Sequence, residues 1–142
     1  METTEIIDNL KETFNITRSR SVIARSNLSK HNFISRKKNT LHIDDVFYMV
    51  YGFILGPGNF KEAKIFYSEM LENEAFIIKS FAKMQSIGFN NIKNVTFGHW
   101  YIIVNCNDPV KNFTLGKISD QYTDRSKTVT GEKLDYFFSK LT

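Results

Sequence analysis

One cysteine, one tryptophan and two prolines occur in 142 residues. A single thiol, Cys106, excludes an intramolecular disulfide framework and fits a reducing compartment. The longest apolar run, Val46 to Leu55, is far too short to cross a bilayer and is interrupted by Gly52. The opening segment METTEIIDNLKE is acidic and lacks the basic lead and apolar core of a signal peptide. These absences predict a soluble, intracellular, cytoplasmic protein with no membrane partner. Four Asn-x-Ser/Thr triplets, at Asn15, Asn27, Asn94 and Asn112, then read as chance matches in an Asn-rich chain. No zinc-ligand spacing, phosphate-binding glycine loop or dinucleotide fingerprint is present, and GKIS at 116–119 lacks the rest of a P-loop. No cofactor and no metal site is expected.

The most informative absence is local. Residues 13–43, TFNITRSRSVIARSNLSKHNFISRKKNTLHI, contain no Asp or Glu. The run holds Arg18, Arg20, Arg25, Lys30, Arg36, Lys37 and Lys38, and so carries +7. The whole chain carries +4, which leaves the other residues at −3. A basic segment joined to a mildly acidic body is the asymmetry of a protein that meets a polyanion. Ser19, Ser21, Ser26, Asn27, Ser29, Asn32 and Ser35 add neutral donors of the kind that accompany Lys and Arg on phosphate. Five or six such contacts on a duplex would give a log–log salt slope of roughly −5. The run lacks the apolar face of a membrane-lying helix.

With 42% hydrophobic residues and thirteen Phe, the chain has ample material for a core. One domain, 1–142, is expected, with the basic segment at 13–43 and no internal repeat. Thr4 is placed to cap a first helix carrying Ile6, Ile7, Leu10 and Phe14 on one face. Within the basic run, Val22, Ile23 and Leu28 can anchor a short helix presenting Arg18, Arg25 and Arg36 outward. Phe33 and Ile34 can pin the segment to the body. HIDDVFYMVYGFILGPG reads as a buried helix, with Asp44 and Asp45 at its positive end and Gly56-Pro57-Gly58 as its stop. From Phe60 to Ile87 the apolar positions keep close to 3.6 spacing and predict one helix ended by Gly88. Phe47, Phe53, Phe66, Phe81, Phe137 and Phe138 fall at core positions.

The pattern changes at Asn90. VTFGHWYIIVNC is β-branched and aromatic, with Gly98-His99 as either a bulge or a hairpin turn. A turn at Asn107-Asp108-Pro109, a strand in NFTLGKIS and a short strand at Thr128–Thr130 follow. A last helix starts near Glu132, with Leu134, Phe137, Phe138 and Leu141 inward. The class is therefore α+β: a helical N-terminal two-thirds packed on a small antiparallel sheet, with a C-terminal helix.

Several groups are candidates for chemistry. Arg25-SNLSK-His31 and Arg36-KKNTL-His42 have an Arg–His spacing used by some helical ribonucleases, where Arg orients phosphate and His does acid–base work. Such spacing arises readily where Arg and His are concentrated, and those enzymes lack a sheet. A toxin-like RNA-cleaving site on the sheet would draw on His99, Tyr101, Lys111, Thr114 and Arg125, with His99 as base and a cation for the phosphorane. Trp100, if exposed, would stack a base. Cys106 and His99 are seven apart, which places them on opposite faces of a straight strand. Glu62-Ala63-Lys64 has a nuclease-like half-motif but sits on a helix. His42 with Asp44 and Asp45 is explained by helix capping without a metal.

The leading expectation is a small nucleic-acid-binding protein, DNA or RNA, contacting phosphate through Arg18, Arg20, Arg25, Lys30, Arg36, Lys37 and Lys38. The alternatives are an RNA-cleaving enzyme using His99 with Lys111 and Arg125, and an inhibitor or adaptor binding an acidic protein partner. A homodimer stays open. The Asn-, Lys-, Ile- and Phe-heavy composition suggests an AT-rich coding genome, such as many bacterial, phage or viral ones.

Overall fold

The structure is a computed structural model that describes residues 2–34, 41–118 and 125–141. Its helices and antiparallel sheet place the chain in the α+β class. The chain divides into two compact units, with the boundary between Glu72 and Asn73.

The first unit is helical. Helix α1, Thr3–Phe14, buries Ile6, Ile7 and Leu10 and presents Glu5, Asp8 and Glu12 to solvent. Its cap position is Glu2, not the expected Thr4, because the Ile6 N–H already reaches the Glu2 carbonyl at 3.1 Å. Asn15, at φ 54°, ends the helix in the left-handed conformation that Asn tolerates. Helix α2, Arg18–Lys30, is followed by buried Phe33 and Ile34, as expected for residues that pin the basic run. Helix α3, Ile43–Leu55, is apolar nearly all round: nine of its thirteen positions are buried, so it forms the centre of the unit. Helices α1 and α2 both pack on α3. Helix α4, Phe60–Asn73, buries Ala63, Phe66, Tyr67 and Met70.

The second unit begins with helix α5, Ala75–Ile87, which stops at Gly88 with φ 96°, a conformation strained for any residue with a Cβ. The expectation of one helix from Phe60 to Ile87 is corrected, since the helix is interrupted at Glu74. The apolar phase runs unbroken across the interruption: Ala63, Met70, Ile77 and Met84 recur every seventh residue and all are buried. Periodicity therefore carried no sign of it.

The sheet contains β1 (Ile92–Gly98), β2 (Tyr101–Cys106), β3 (Phe113–Gly116) and β4 (Ser126–Thr130), in the order β3-β2-β1-β4 and antiparallel throughout. Gly98 pairs with Tyr101, so His99 and Trp100 form a two-residue hairpin loop, joined by a cis peptide bond. One face carries Val95, Phe97, Ile102 and Val104, all buried, with Phe97 stacked on Phe81 at 5.9 Å. Helix α5 packs on β2 and β3, and helix α6 (Gly131–Ser139) on β1 and β4. Leu134 and Phe137 of α6 are fully buried and Phe138 is half-buried. The opposite face, set by the strand period of two, carries Asn94, Thr96, Asn105 and Thr128 together with half-buried Ile103 and buried Tyr101. There the Thr96 and Thr128 hydroxyls lie 2.9 Å apart, and Asn105 Nδ2 donates to Asn94 Oδ1 at 2.9 Å.

Candidate nucleic-acid interface

Segments such as SRS and SNLS are weak helix formers, because serine and asparagine hydrogen-bond the backbone in competing conformations. Two things make α2 a helix. The Thr17 hydroxyl caps its first turn by accepting from the Arg20 N–H at 3.3 Å. Ser21, Ile23, Ala24, Asn27 and Leu28 are then buried on one side, with Asn27 Nδ2 donating to the Ile23 carbonyl at 2.9 Å. Removing Leu28 from water stabilises this arrangement by roughly 1.5–3 kcal/mol.

The other side of α2 is its exposed face: Arg18, Ser19, Val22, Arg25, Ser26 and Lys30 are open to solvent and Ser29 is half-buried. Arg18 and Arg25 stand two helical turns apart, about 10 Å along the axis. Among the described residues, no carboxylate lies within ion-pair distance of Arg18, Arg25 or Lys30. Val22, expected as an anchor, is instead 53% exposed in the middle of this face. It points away because Ile23 and Leu28 take the inward positions.

Arg20 is placed differently from its neighbours. Its Nη2 donates toward the carbonyl oxygens of Phe53, Ile54 and Gly56, each at 3.2 Å. Two hydrogens shared among three acceptors make a cationic cap on the negative end of α3. Beside it, the Tyr67 hydroxyl donates to the Gly52 carbonyl at 3.1 Å. Burial pushes this phenol well above the usual tyrosine range, partly offset by the nearby Arg20 charge. Arg20 therefore ties α2 to the end of α3, with its charge directed at the α3 carbonyls.

Both histidines of the basic run also have structural partners. His31 Nδ1 donates to the Asn27 carbonyl at 2.8 Å, and its Nε2 lies 3.2 Å from Ser68 Oγ. Residues six apart on a helix point in different directions, so Arg25 and His31 do not form a pair. His42 caps α3: its ring accepts from the Asp44 N–H, while Asp45 accepts from the His42 N–H. That is the capping explanation expected for this cluster. Among the described residues, no group of His, Cys, Asp and Glu is arranged to hold a metal. Arg36, Lys37 and Lys38 lie outside the described residues.

The sheet candidates do not come together as one site. His99 sits in the β1–β2 loop and Arg125 directly before β4, whose Ser126 pairs with Gly98. Lys111 lies past the far end of β2, about 17 Å away at some 3.4 Å per strand residue. Tyr101 is buried, its ring filling the space above Gly98, while Thr114 is exposed on β3. His99 is 5% exposed and stacked on Trp100 at 5.2 Å. Burial, and then the Arg125 charge, lower its pKa to about 4. A base that weak is poorly matched to proton abstraction at neutral pH. Trp100 is 6% exposed, so the stacking platform expected if it were open is absent at that position. Cys106 is buried at the other end of β2 from His99, and burial raises its thiol pKa. Glu62 and Lys64 are on α4, as their helical placement predicts.

Compared with known proteins, the chain matches no family, no curated sequence and no solved structure.

Two features of the interface were not legible in the sequence: the exposure of Val22 and the capping role of Arg20. The partners of Arg20 lie 33 to 36 residues away, and no local signal links them.

Proposed function

We propose that the protein binds nucleic acid through its phosphate backbone, with the exposed face of α2 as the contact surface. The observation that carries the proposal is that Arg18, Arg25 and Lys30 stand in solvent with no carboxylate in ion-pair range among the described residues. Arg18 also stands in the first turn of α2, where the backbone amides already hold partial positive charge. A cation there costs about 0.3–1 kcal/mol, and a bound anion offsets that cost. Ser19, Ser26 and Ser29 add hydroxyl donors beside the cations. Arg36, Lys37 and Lys38, outside the described residues, add three positive charges to the basic run.

The test is fluorescence anisotropy with labelled single- and double-stranded DNA and RNA at three salt concentrations, each sample then run on a denaturing gel. Three described cations predict a log–log slope of about −3, made steeper by any contribution from residues 36–38. The Arg18→Ala, Arg25→Ala double variant should bring the slope about 2 closer to zero with strands intact. Cut strands, with cutting lost in His99→Ala, would replace this proposal with RNA cleavage. Absence of binding to every probe at low salt would overturn it and direct the search to an acidic protein partner.

A further inference from the structure

We infer that the nucleic acid is duplex DNA, read by α2 in the major groove, with Val22 set against thymine methyl groups. This rests on the proposed function and deepens it. Arg18, Arg25 and Lys30 give the face a cationic edge at each end of a helix thirteen residues long, about 20 Å. Between them lie Ser19, Val22, Ser26 and Ser29, none of which extends past a γ atom. Long cations flanking short side chains suit a cylinder that must approach base edges while its rim meets phosphates. The major groove of B-DNA, about 12 Å wide, admits an α-helix. The deep, narrow major groove of duplex RNA does not. Single strands are held largely by aromatic stacking, and this face of α2 carries no aromatic side chain.

Val22 makes the assignment specific. It follows Arg18 by four residues and precedes Arg25 by three, which places all three on one ridge. It is the one apolar side chain among the exposed residues of α2, at 53% exposure. A phosphate surface offers it nothing. The base-edge group that matches two methyls is the thymine C5-methyl. Serine hydroxyls contact any base edge, and the two arginines are placed for phosphate or for guanine O6 and N7. Beneath the face, Ile23, Ala24 and Leu28 are buried, so the ridge is backed by packed core.

The experiment uses the full chain and a library of random 20-base-pair DNA duplexes, sequencing the bound fraction. The enriched duplex is then compared by anisotropy with its single strands, with duplex RNA of the same sequence, and with a version carrying deoxyuridine for thymine. The expected result is an enriched motif containing thymine and about tenfold weaker binding to the RNA duplex. Removing the methyls should weaken binding on the order of fivefold in the native chain and have no such effect in Val22→Ala. The thermal unfolding midpoint of that variant reports whether it is folded. Equal binding to DNA and RNA duplexes, or indifference of the native chain to the methyl groups, would overturn the inference and leave backbone binding intact. Binding to single strands but to no duplex would also overturn the inference, and no binding to any duplex or single strand at low salt would remove both.

Discussion

Arg20 Nη2 donates to the carbonyl oxygen of Gly56 at 3.2 Å, and so ties the basic helix α2 to the carboxyl end of α3. The same nitrogen is shared with the carbonyls of Phe53 and Ile54. Hydrogen bonds from a charged donor contribute about 1.5–3 kcal/mol net. Arg20→Ala should therefore lower the urea-unfolding free energy by about 2 kcal/mol. Arg18→Ala, which removes a solvent-exposed group, should change it by less than about 0.5 kcal/mol. Equal effects from the two substitutions would show that Arg20 is not a cap.

The turn that Arg20 covers has no room to spare. A Cβ on Gly56 would stand 2.5 Å from both the Gly52 carbonyl and the Tyr67 hydroxyl. Gly56→Ala should destabilise the protein by about 1–3 kcal/mol, as overpacking does. Tyr67→Phe should cost about 1 kcal/mol, because the Gly52 oxygen keeps its bond from the Gly56 N–H at 2.8 Å. In the double variant the clash with the hydroxyl is gone, so the two losses should be less than additive. Urea midpoints of the three variants decide this.

His99 makes stability pH-dependent on the acid side. Its folded pKa, about 4, lies below the usual 6.5, so between these values the unfolded chain binds a proton that the folded chain excludes. Its contribution is present in full above pH 6.5 and is lost as pH falls toward 4. The linkage relation puts the loss at about 2 kcal/mol at pH 5 relative to pH 7.5. His99→Gln should flatten that part of the profile, measured as urea midpoints at pH 7.5, 6 and 5. An unchanged slope in the variant would assign the pH dependence to other groups.

Helix α6 depends on one hydroxyl. Thr130 caps it by accepting from the Lys133 N–H at 3.2 Å. Thr130→Ala should cost about 1 kcal/mol and Thr130→Ser little. The comparison by thermal unfolding separates loss of the cap from loss of the β-branched side chain at the end of β4.

Much of this fold was legible because it is decided within a few residues. The α+β class, the buried helix before Gly56-Pro57-Gly58, the stop at Gly88 and the inward positions Leu134 and Phe137 all follow from local periodicity, caps and turn chemistry. The concentration of Arg and Lys between residues 13 and 43 is likewise a property of the chain alone. The sequence could not say which of those cations face water. Arg18 and Arg25 do, while Arg20 meets carbonyls from a helix more than thirty positions away. It could not say that Trp100 is buried, that Lys111 and His99 stand at opposite ends of β2, or that the helix is interrupted at Glu74 with its apolar phase unbroken. Propensity and capping act across one or two turns. Burial, capping by a distant side chain and the separation of strand ends exist only once segments far apart in the chain have packed together.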